Sequence, residues 1–377
     1  MAGKRLKGLI LSAYDAGSHK YWRNGIEKEL NDIDWTVLSL PARFFSWRIR
    51  GNPISFMSQY SEELAQKYDF MLVTSMVDLA TLKGLVPTLS VVPSLVYFHE
   101  NQFEYPKSER QKSVLEAQMV NLYSAMAADQ IIFNSKFNQK TFFDGCDQLM
   151  NKLPDFTLPD LSSRLQSKSS VIPVPIADHL FECPLVERPY EMSLIKSPVK
   201  ILWNHRWEYD KGPERLLLLL TQLKVREVPF EINIVGEQFR SVPTEFDEIQ
   251  STFSQQLKAF GYISNVKDYY KLLGQCDIVL STSIHEFQGV SVMEAVAAGC
   301  IPLVPNRLSY QEYIDDAYCY EGYMEDPEKE AISAVNALLS IMGREVNRGL
   351  ISGMLQQYSW RELIGQYRSA VDRVLKR

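Results

Sequence analysis

The sequence has little of what marks several common protein classes. Five cysteines occur in 377 residues (Cys146, Cys183, Cys276, Cys300 and Cys319), far apart and with no Cys-x-x-Cys pair. That excludes the usual zinc spacings and gives no disulfide framework, so a reducing compartment is expected. No stretch approaches the ~18 apolar residues of a membrane-spanning helix. The apolar run after Lys4, Arg5 and Lys7 ends at Tyr14 and Asp15, too soon for a secretory signal, and the expected location is cytoplasmic. Glycine and proline, at 18 each, are too few for a collagen-like or linker-like chain. No G-x-G-x-x-G follows the first apolar run, and no G-x-x-x-x-G-K-[ST] or G-x-S-x-G is present. His99–Glu100 and His285–Glu286 do not extend to H-E-x-x-H. Dinucleotide-fingerprint, P-loop, serine-hydrolase and metalloprotease readings are therefore unsupported.

What is present suits a large core: 46% of residues are hydrophobic and 23% charged. The formal charge of −6, from 40 basic and 46 acidic residues, argues against non-specific coating of nucleic acid. Residues 1–180 hold 19 basic and 19 acidic side chains, while 181–377 hold 21 and 27. A polyanionic partner is thus expected to meet the first half.

Short apolar runs alternate with longer amphipathic segments. Strands are expected at Leu6–Ser12, Trp35–Leu40, Phe70–Thr74, Leu95–Phe98, Gln130–Asn134 and Ser170–Pro173. Helices are expected at His19–Asn31, Ile54–Lys67, Arg110–Ala127 and Lys136–Phe143, and Pro154–Ser170 reads as irregular. Prolines 173, 175, 184, 189 and 198 break regular structure and mark a linker. The alternation then restarts with strands at Val199–Asn204, Phe230–Val235, Ala259–Tyr262, Ile278–Ser281, Ile301–Val304 and Ala317–Tyr320. Its helices are Pro213–Arg226, Val266–Gly274, Ser291–Ala298, Pro327–Met342, Arg344–Tyr358 and Trp360–Lys376. This is an α/β pattern of βαβ units and parallel sheets. We read residues 1–180 as one Rossmann-like domain, 181–198 as linker, 199–358 as a second Rossmann-like domain and 359–377 as a closing helix. The two domains are expected to face each other across a cleft that holds the ligands.

Three loops carry the chemistry of the second half. Asn204–Glu214 (NHRWEYDKGPE) follows a strand and brings Arg206 and Lys211 to the Gly212–Pro213 start of a helix, an arrangement suited to a phosphate-like anion. Two solvated surface charges would explain the pair equally well. His285–Ala295 (HEFQGVSVMEA) spaces Glu286 and Glu294 eight apart, with Gly289 letting the amides of Val290 and Ser291 approach a ligand. A helix-dipole role in the first turn explains Glu294 alone, but not Glu286 and Gly289 together. Gly299–Pro305 reads as a tight helix-to-strand return.

These motifs resemble the retaining glycosyltransferases of family four, which have the GT-B fold. The resemblance is carried by E-x7-E in HEFQGVSVMEAVAAGCIPLV and by R-x4-KG in HRWEYDKGPE. It implies that Arg206 and Lys211 hold the donor diphosphate, that Glu286 approaches the sugar and that Glu294 binds the ribose hydroxyls. Gly289, Val290 and Ser291 supply amides, and Gly236, Tyr262 and Ile263 meet the nucleoside. YSWRELIGQY resembles the family's closing helix, which crosses back onto the first domain.

In the first half, Tyr14–His19 places Gly17 and Ser18 in a turn entering a helix, where such enzymes face the diphosphate. His99–Pro106 packs His99, Glu100, Asn101, Gln102, Glu104 and Tyr105 after a strand. Asn134 follows another strand. Thr36–Ser61 contains no acidic residue and carries Arg43, Phe44, Phe45, Trp47, Arg48 and Arg50. Base stacking with phosphate contact, membrane contact and simple core packing are all open for that segment.

SAYDAGSHKYWRNGI, FHENQFEYP and NHRWEYDKGPE together resemble the tRNA-queuosine mannosyltransferases. That implies a GDP-mannose donor and, as acceptor, the cyclopentenediol of queuosine at the tRNA wobble position, with tRNA-Asp as carrier. His19, Glu100, Asn101, Gln102, Tyr105 and Asn134, with Arg43, Trp47, Arg48 and Arg50, become the acceptor side, and His99 orients sugar or phosphate. No metal is expected, since the cations come from the protein, and no membrane partner is expected. Replacing Lys211 with Ala is expected to lower turnover and leave the fold intact. A family-four transferase acting on a lipid or small metabolite remains the alternative.

Overall fold

A computed structural model describes residues 5–104, 114–182, 197–238 and 242–376. The chain divides into two compact units, Met1–Pro175 with Trp360–Arg377, and Ile176–Ser359. The division falls a few residues before the expected linker at 181–198, most of which lies outside the described residues. Each unit is a parallel α/β sheet.

The first sheet is built from β1 (Lys7–Asp15), β2 (Asp34–Pro41), β3 (Phe70–Thr74), β4 (Ser94–Phe98), β5 (Gln130–Phe133) and β6 (Ser169–Val171), in the order β2-β1-β3-β4-β5-β6. β3 and β4 are buried at every residue, as strands covered by helices on both faces must be. The closing helix Trp360–Leu375 belongs to this unit. It buries Trp360, Leu363, Tyr367, Ala370, Val371 and Val374, one stripe at helical spacing. Trp22 Nε1 donates to Tyr367 Oη at 3.0 Å, and the Trp22 ring stacks on Tyr97 at 4.3 Å.

The expected helix at Ile54–Lys67 begins earlier, at Phe45, and ends at Gln59, so the Arg/aromatic segment is largely helical. Pro53 lies inside it and lacks the N–H that would bond Ile49 O. Asn52 Nδ2 fills that role, donating to Ile49 O at 3.2 Å and Arg48 O at 2.9 Å. The stretch read as irregular contains the helix Leu161–Gln166 and the start of β6.

The second sheet comprises β7 (Val199–Trp203), β8 (Phe230–Val235), β9 (Leu257–Gly261), β10 (Ile278–Leu280), β11 (Ile301–Pro305) and β12 (Cys319–Tyr320), ordered β12-β11-β10-β7-β8-β9. Helix Pro213–Val225 opens on proline and buries Leu216, Leu219, Leu220 and Leu223. A buried carboxylate, Glu330, holds Arg215 at 3.1 Å and Arg307 at 2.6 Å. The expected helix Arg344–Tyr358 is shorter, Arg348–Met354, because Asn347 caps it through Leu350 N. Among the described residues no helix is long and apolar enough to cross a membrane, and no group of metal-ligating side chains is present.

Candidate active site

In an open parallel sheet, the crevice for ligands forms where the chain leaves adjacent strands in opposite directions. In the second unit that point lies between β7 and β10. The loop after β7 supplies Arg206 and Lys211, and the loop after β10 supplies Glu286. Gly212 takes the left-handed conformation (φ 66°) that closes the first loop, and a β-carbon there would stand 2.2 Å from Thr282 O. The two loops are therefore in contact.

Lys211 is buried and its Nζ is held by three oxygens: Glu286 Oε2 at 3.0 Å, Asp210 Oδ2 at 3.2 Å and His285 O at 2.9 Å. Burial disfavours its charge, but Asp210 and Glu286 outweigh that and raise its pKa above the ordinary lysine range. Burial likewise works against the Glu286 carboxylate, yet Lys211 beside it brings its pKa down to about 2. Glu286 Oε1 accepts from Phe287 N at 3.1 Å. Two imidazoles border the pair. Burial, reinforced by Lys211, lowers His205 to about 3 and His285 to about 4, so both are neutral near pH 7. His205 Nε2 is buried without a hydrogen-bond partner. Arg206 is the more open cation, its side chain 41% exposed, 3.0 Å from Glu208 and 3.7 Å from Asp210.

This geometry revises the expectation for Lys211→Ala. Removing this buried cation would leave Glu286 without its partner and Asp210 with only Arg206, 3.7 Å away, so the fold itself would suffer.

Gly289 caps helix Val290–Ala297 at φ 75°, and a β-carbon there would meet Tyr313 Oη at 2.6 Å. No acidic residue occupies the first turn of this helix. Glu294 lies beyond it, which removes the helix-dipole explanation. Burial raises Glu294 to about 7, opposed by Tyr269, whose hydroxyl donates to Oε2 at 3.3 Å. Asn204 ties this corner together, donating to Ser291 O at 2.8 Å and to Tyr269 Oη at 3.1 Å. Gly236 ends β8, donating to Gly261 O at 3.2 Å, while Tyr262 is exposed and Ile263 half-buried just after β9.

In the first unit the corresponding point lies between β1 and β3. Gly17 and Ser18 are exposed at the start of helix Gly17–Glu29, which has neither an acidic first turn nor a side-chain cap. Arg23 closes the preceding loop by gripping Asp15 through Nε and Nη2 at 2.8–3.1 Å. His19 Nε2 lies 3.1 Å from Glu100 Oε2, and Ser75 Oγ donates to Glu100 Oε1 at 3.2 Å. His19 and His99 stack at 4.1 Å. Burial, then His19, lowers the His99 pKa well below the ordinary range, so the ring is neutral. His19 Nδ1 and His99 Nε2 are buried without hydrogen-bond partners.

Other expected residues are differently placed. Asn101 is fully buried, and its amide is committed to Asn138, Thr141, Phe103 N and Glu104 N. Asn134 is buried and bonded to His99 O and Asn138. Both position the loop rather than offer bonds to a ligand. Gln102 is buried too, its N–H bonded to Asn121. Tyr105 lies outside the described residues. Arg43 and Trp47 are exposed. Arg48 is buried, and Arg50 is paired with Asp78 at 2.7 Å.

Asp210, His205, Ser75 and Tyr269 escaped the sequence reading as site residues. The first two stand inside the quoted NHRWEYDKGPE segment, whereas Tyr269 sits in a helix whose pattern gives no signal.

Two family models match the chain: the tRNA-queuosine alpha-mannosyltransferase N-terminal domain over residues 7–176, and glycosyl transferases group 1 over residues 192–348. A Drosophila melanogaster tRNA-queuosine alpha-mannosyltransferase is 35% identical over 308 residues, covering 81% of this chain and 80% of the relative. Sucrose-phosphate synthase from Thermosynechococcus elongatus has the same fold, with TM-score 0.72, 13% identity and coverage of 99% and 100% of the two chains. So does Anabaena HepE in complex with UDP and glucose, with TM-score 0.65, 14% identity and coverage of 97% and 99%.

Proposed function

The chain belongs to the tRNA-queuosine alpha-mannosyltransferases and is a GT-B glycosyltransferase. From that premise we propose that it transfers mannose from GDP-mannose, with retention, to the cyclopentenediol of queuosine at the wobble position of tRNA-Asp. The cytoplasm, where tRNA is at hand, is the proposed setting. The observation that carries the catalytic part is the buried Lys211–Glu286 pair beside the half-open Arg206. Breaking the bond from sugar to diphosphate builds negative charge on the leaving group. Fixed cations and open amides meet that charge without reorganising, and one such donor is worth roughly 2.7–4 kcal/mol.

In this reading Arg206 contacts the diphosphate directly. Lys211, already tied to three oxygens, adds its field and holds Glu286 toward the sugar. The amides of Val290 and Ser291 reinforce them, and Glu294 takes the ribose hydroxyls. The leaving phosphate oxygen takes the proton of the attacking hydroxyl, so no pair of carboxylates flanking the bond is required, unlike in glycosidases. The protein's own cations make a metal-independent reaction the proposal. In the first unit, Glu100 and the stacked His19 and His99 rings offer acceptors and donors suited to hydroxyl groups.

The test is to incubate the protein with GDP-mannose and two tRNA-Asp pools, one with queuosine and one without, and to analyse the nucleosides. Mannose on queuosine alone is expected. Hydrolysis of the donor with no transfer to either pool would remove the acceptor assignment and leave the glycosyltransferase.

A further inference from the structure

Three arginines lie close together around the start of helix Phe45–Gln59, and the structure treats each differently. Arg50 is paired with Asp78. Arg43 is exposed, its guanidinium 5.5 Å from the Phe44 ring centroid. Arg48 is only 7% exposed, its Nε is buried with no hydrogen-bond partner, and it makes no ion pair among the described residues. Arginine cannot escape this cost by losing its proton within the working pH range. An arginine whose side chain is mostly withdrawn from water, with Nε sealed from solvent and no carboxylate beside it, is costly for a fold to hold, and its outer nitrogens stay open to an anion.

The surroundings raise that cost. Burial lowers the Arg48 pKa, and the neighbouring charge acting on it is Arg43, which lowers it further. Helical side chains lean toward the N-terminus, and the turn on that side of Arg48 is the first of its own helix. That turn has no acidic residue and no side-chain cap. Residues 43, 44, 46, 47 and 50 around it are exposed, so the site is approached from solvent. Phe44 and Trp47 stand there 68% and 53% exposed. One turn further on, Asn52 Nδ2 donates to Met76 O in the loop after β3, which anchors the helix near the strand ends that carry Ser75 and Glu100.

We propose that Arg48, with Arg43 beside it, is the seat of a phosphodiester of the acceptor RNA, whose bound anion pairs the buried guanidinium. The proposal rests on the tRNA reading of the first unit. A planar guanidinium matches two phosphate oxygens at once, and the exposed aromatic rings suit unpaired bases on either side.

The experiment measures binding of fluorescently labelled tRNA-Asp to the full chain at several salt concentrations, for wild type, Arg48→Met and Arg48→Lys. Arg48→Met is expected to weaken tRNA binding roughly 10- to 100-fold. It is also expected to flatten the slope of log affinity against log salt by about 0.7, the value for one phosphate on a single strand. Arg48→Lys is expected to keep the wild-type salt slope. GDP-mannose affinity stays at the wild-type value throughout, and the melting temperature of Arg48→Met is equal or higher, since an unpaired buried charge has gone. Wild-type tRNA affinity and slope in Arg48→Met would overturn the proposal, as would a loss of GDP-mannose affinity in place of tRNA affinity. A wild-type chain that binds no tRNA would overturn the acceptor reading, and this proposal with it.

Discussion

The two units share one sheet architecture and use their strand ends in opposite ways. The second unit places full charges between β7 and β10: Lys211, Arg206, Asp210 and Glu286 lie within a few ångströms of each other. The first unit places at the equivalent point two stacked imidazoles, one of which, His19, is held by a single carboxylate that a serine also bonds. The contrast matches the chemistry each could perform. A diphosphate leaving group needs fixed positive charge, which survives burial only when balanced by carboxylates. Hydroxyl groups need neutral donors and acceptors at defined positions, where a strong charge would only bind anions. The same fold thus yields two different candidate sites through a handful of residues after its strands.

The largest effect should come from the charged site. Lys211→Ala leaves Glu286 without its cation and the buried Asp210 with only Arg206, 3.7 Å away. Thermal denaturation should show a loss of about 3–5 kcal/mol, with turnover falling alongside. A stable Lys211→Ala enzyme with normal turnover would break the comparison at its root. Arg206→Ala is the milder probe, because the buried Asp210 keeps Lys211 and only the partly exposed Glu208 loses its nearest cation. We expect a normal melting temperature and turnover lower by roughly 100- to 1,000-fold.

In the first unit, His19→Ala removes one hydrogen bond to a carboxylate. Transfer to tRNA should fall by roughly 10- to 100-fold, while release of free sugar from the donor stays unchanged. Equal loss in both assays would mean the imidazole site also serves the donor. The smallest effect is a pH dependence. Glu294, raised to about 7 by burial, is a better acceptor for ribose hydroxyls when ionised. Donor affinity should therefore rise by a few-fold from pH 6 to pH 8 and level off above that. Glu294→Gln should abolish the rise.

Much of this was legible beforehand. Continuous apolar runs such as Phe70–Thr74 and Leu95–Phe98 read directly as buried parallel strands and are found as such. The loops that bring Arg206, Lys211 and Glu286 together were legible because glycine, proline and charge fall at defined steps from a strand. Other features depend on what folds over them. Helix Phe45–Gln59 was hidden by Pro53, whose cost Asn52 absorbs by bonding the freed carbonyl. Asn101 and Asn134 looked like ligand contacts because polar residues after strands often are. Only burial and a closed amide network reveal them as scaffold. Asp210 has no signature apart from Lys211, the cation it balances.

The division of labour between the units is tested most directly by calorimetric titration of GDP-mannose and of queuosine-bearing tRNA-Asp, each into wild type, Arg206→Ala and His19→Ala. The account predicts that Arg206→Ala loses GDP-mannose affinity and keeps tRNA affinity. For His19→Ala it predicts the reverse. Loss of GDP-mannose affinity in His19→Ala, with tRNA affinity intact, would contradict it.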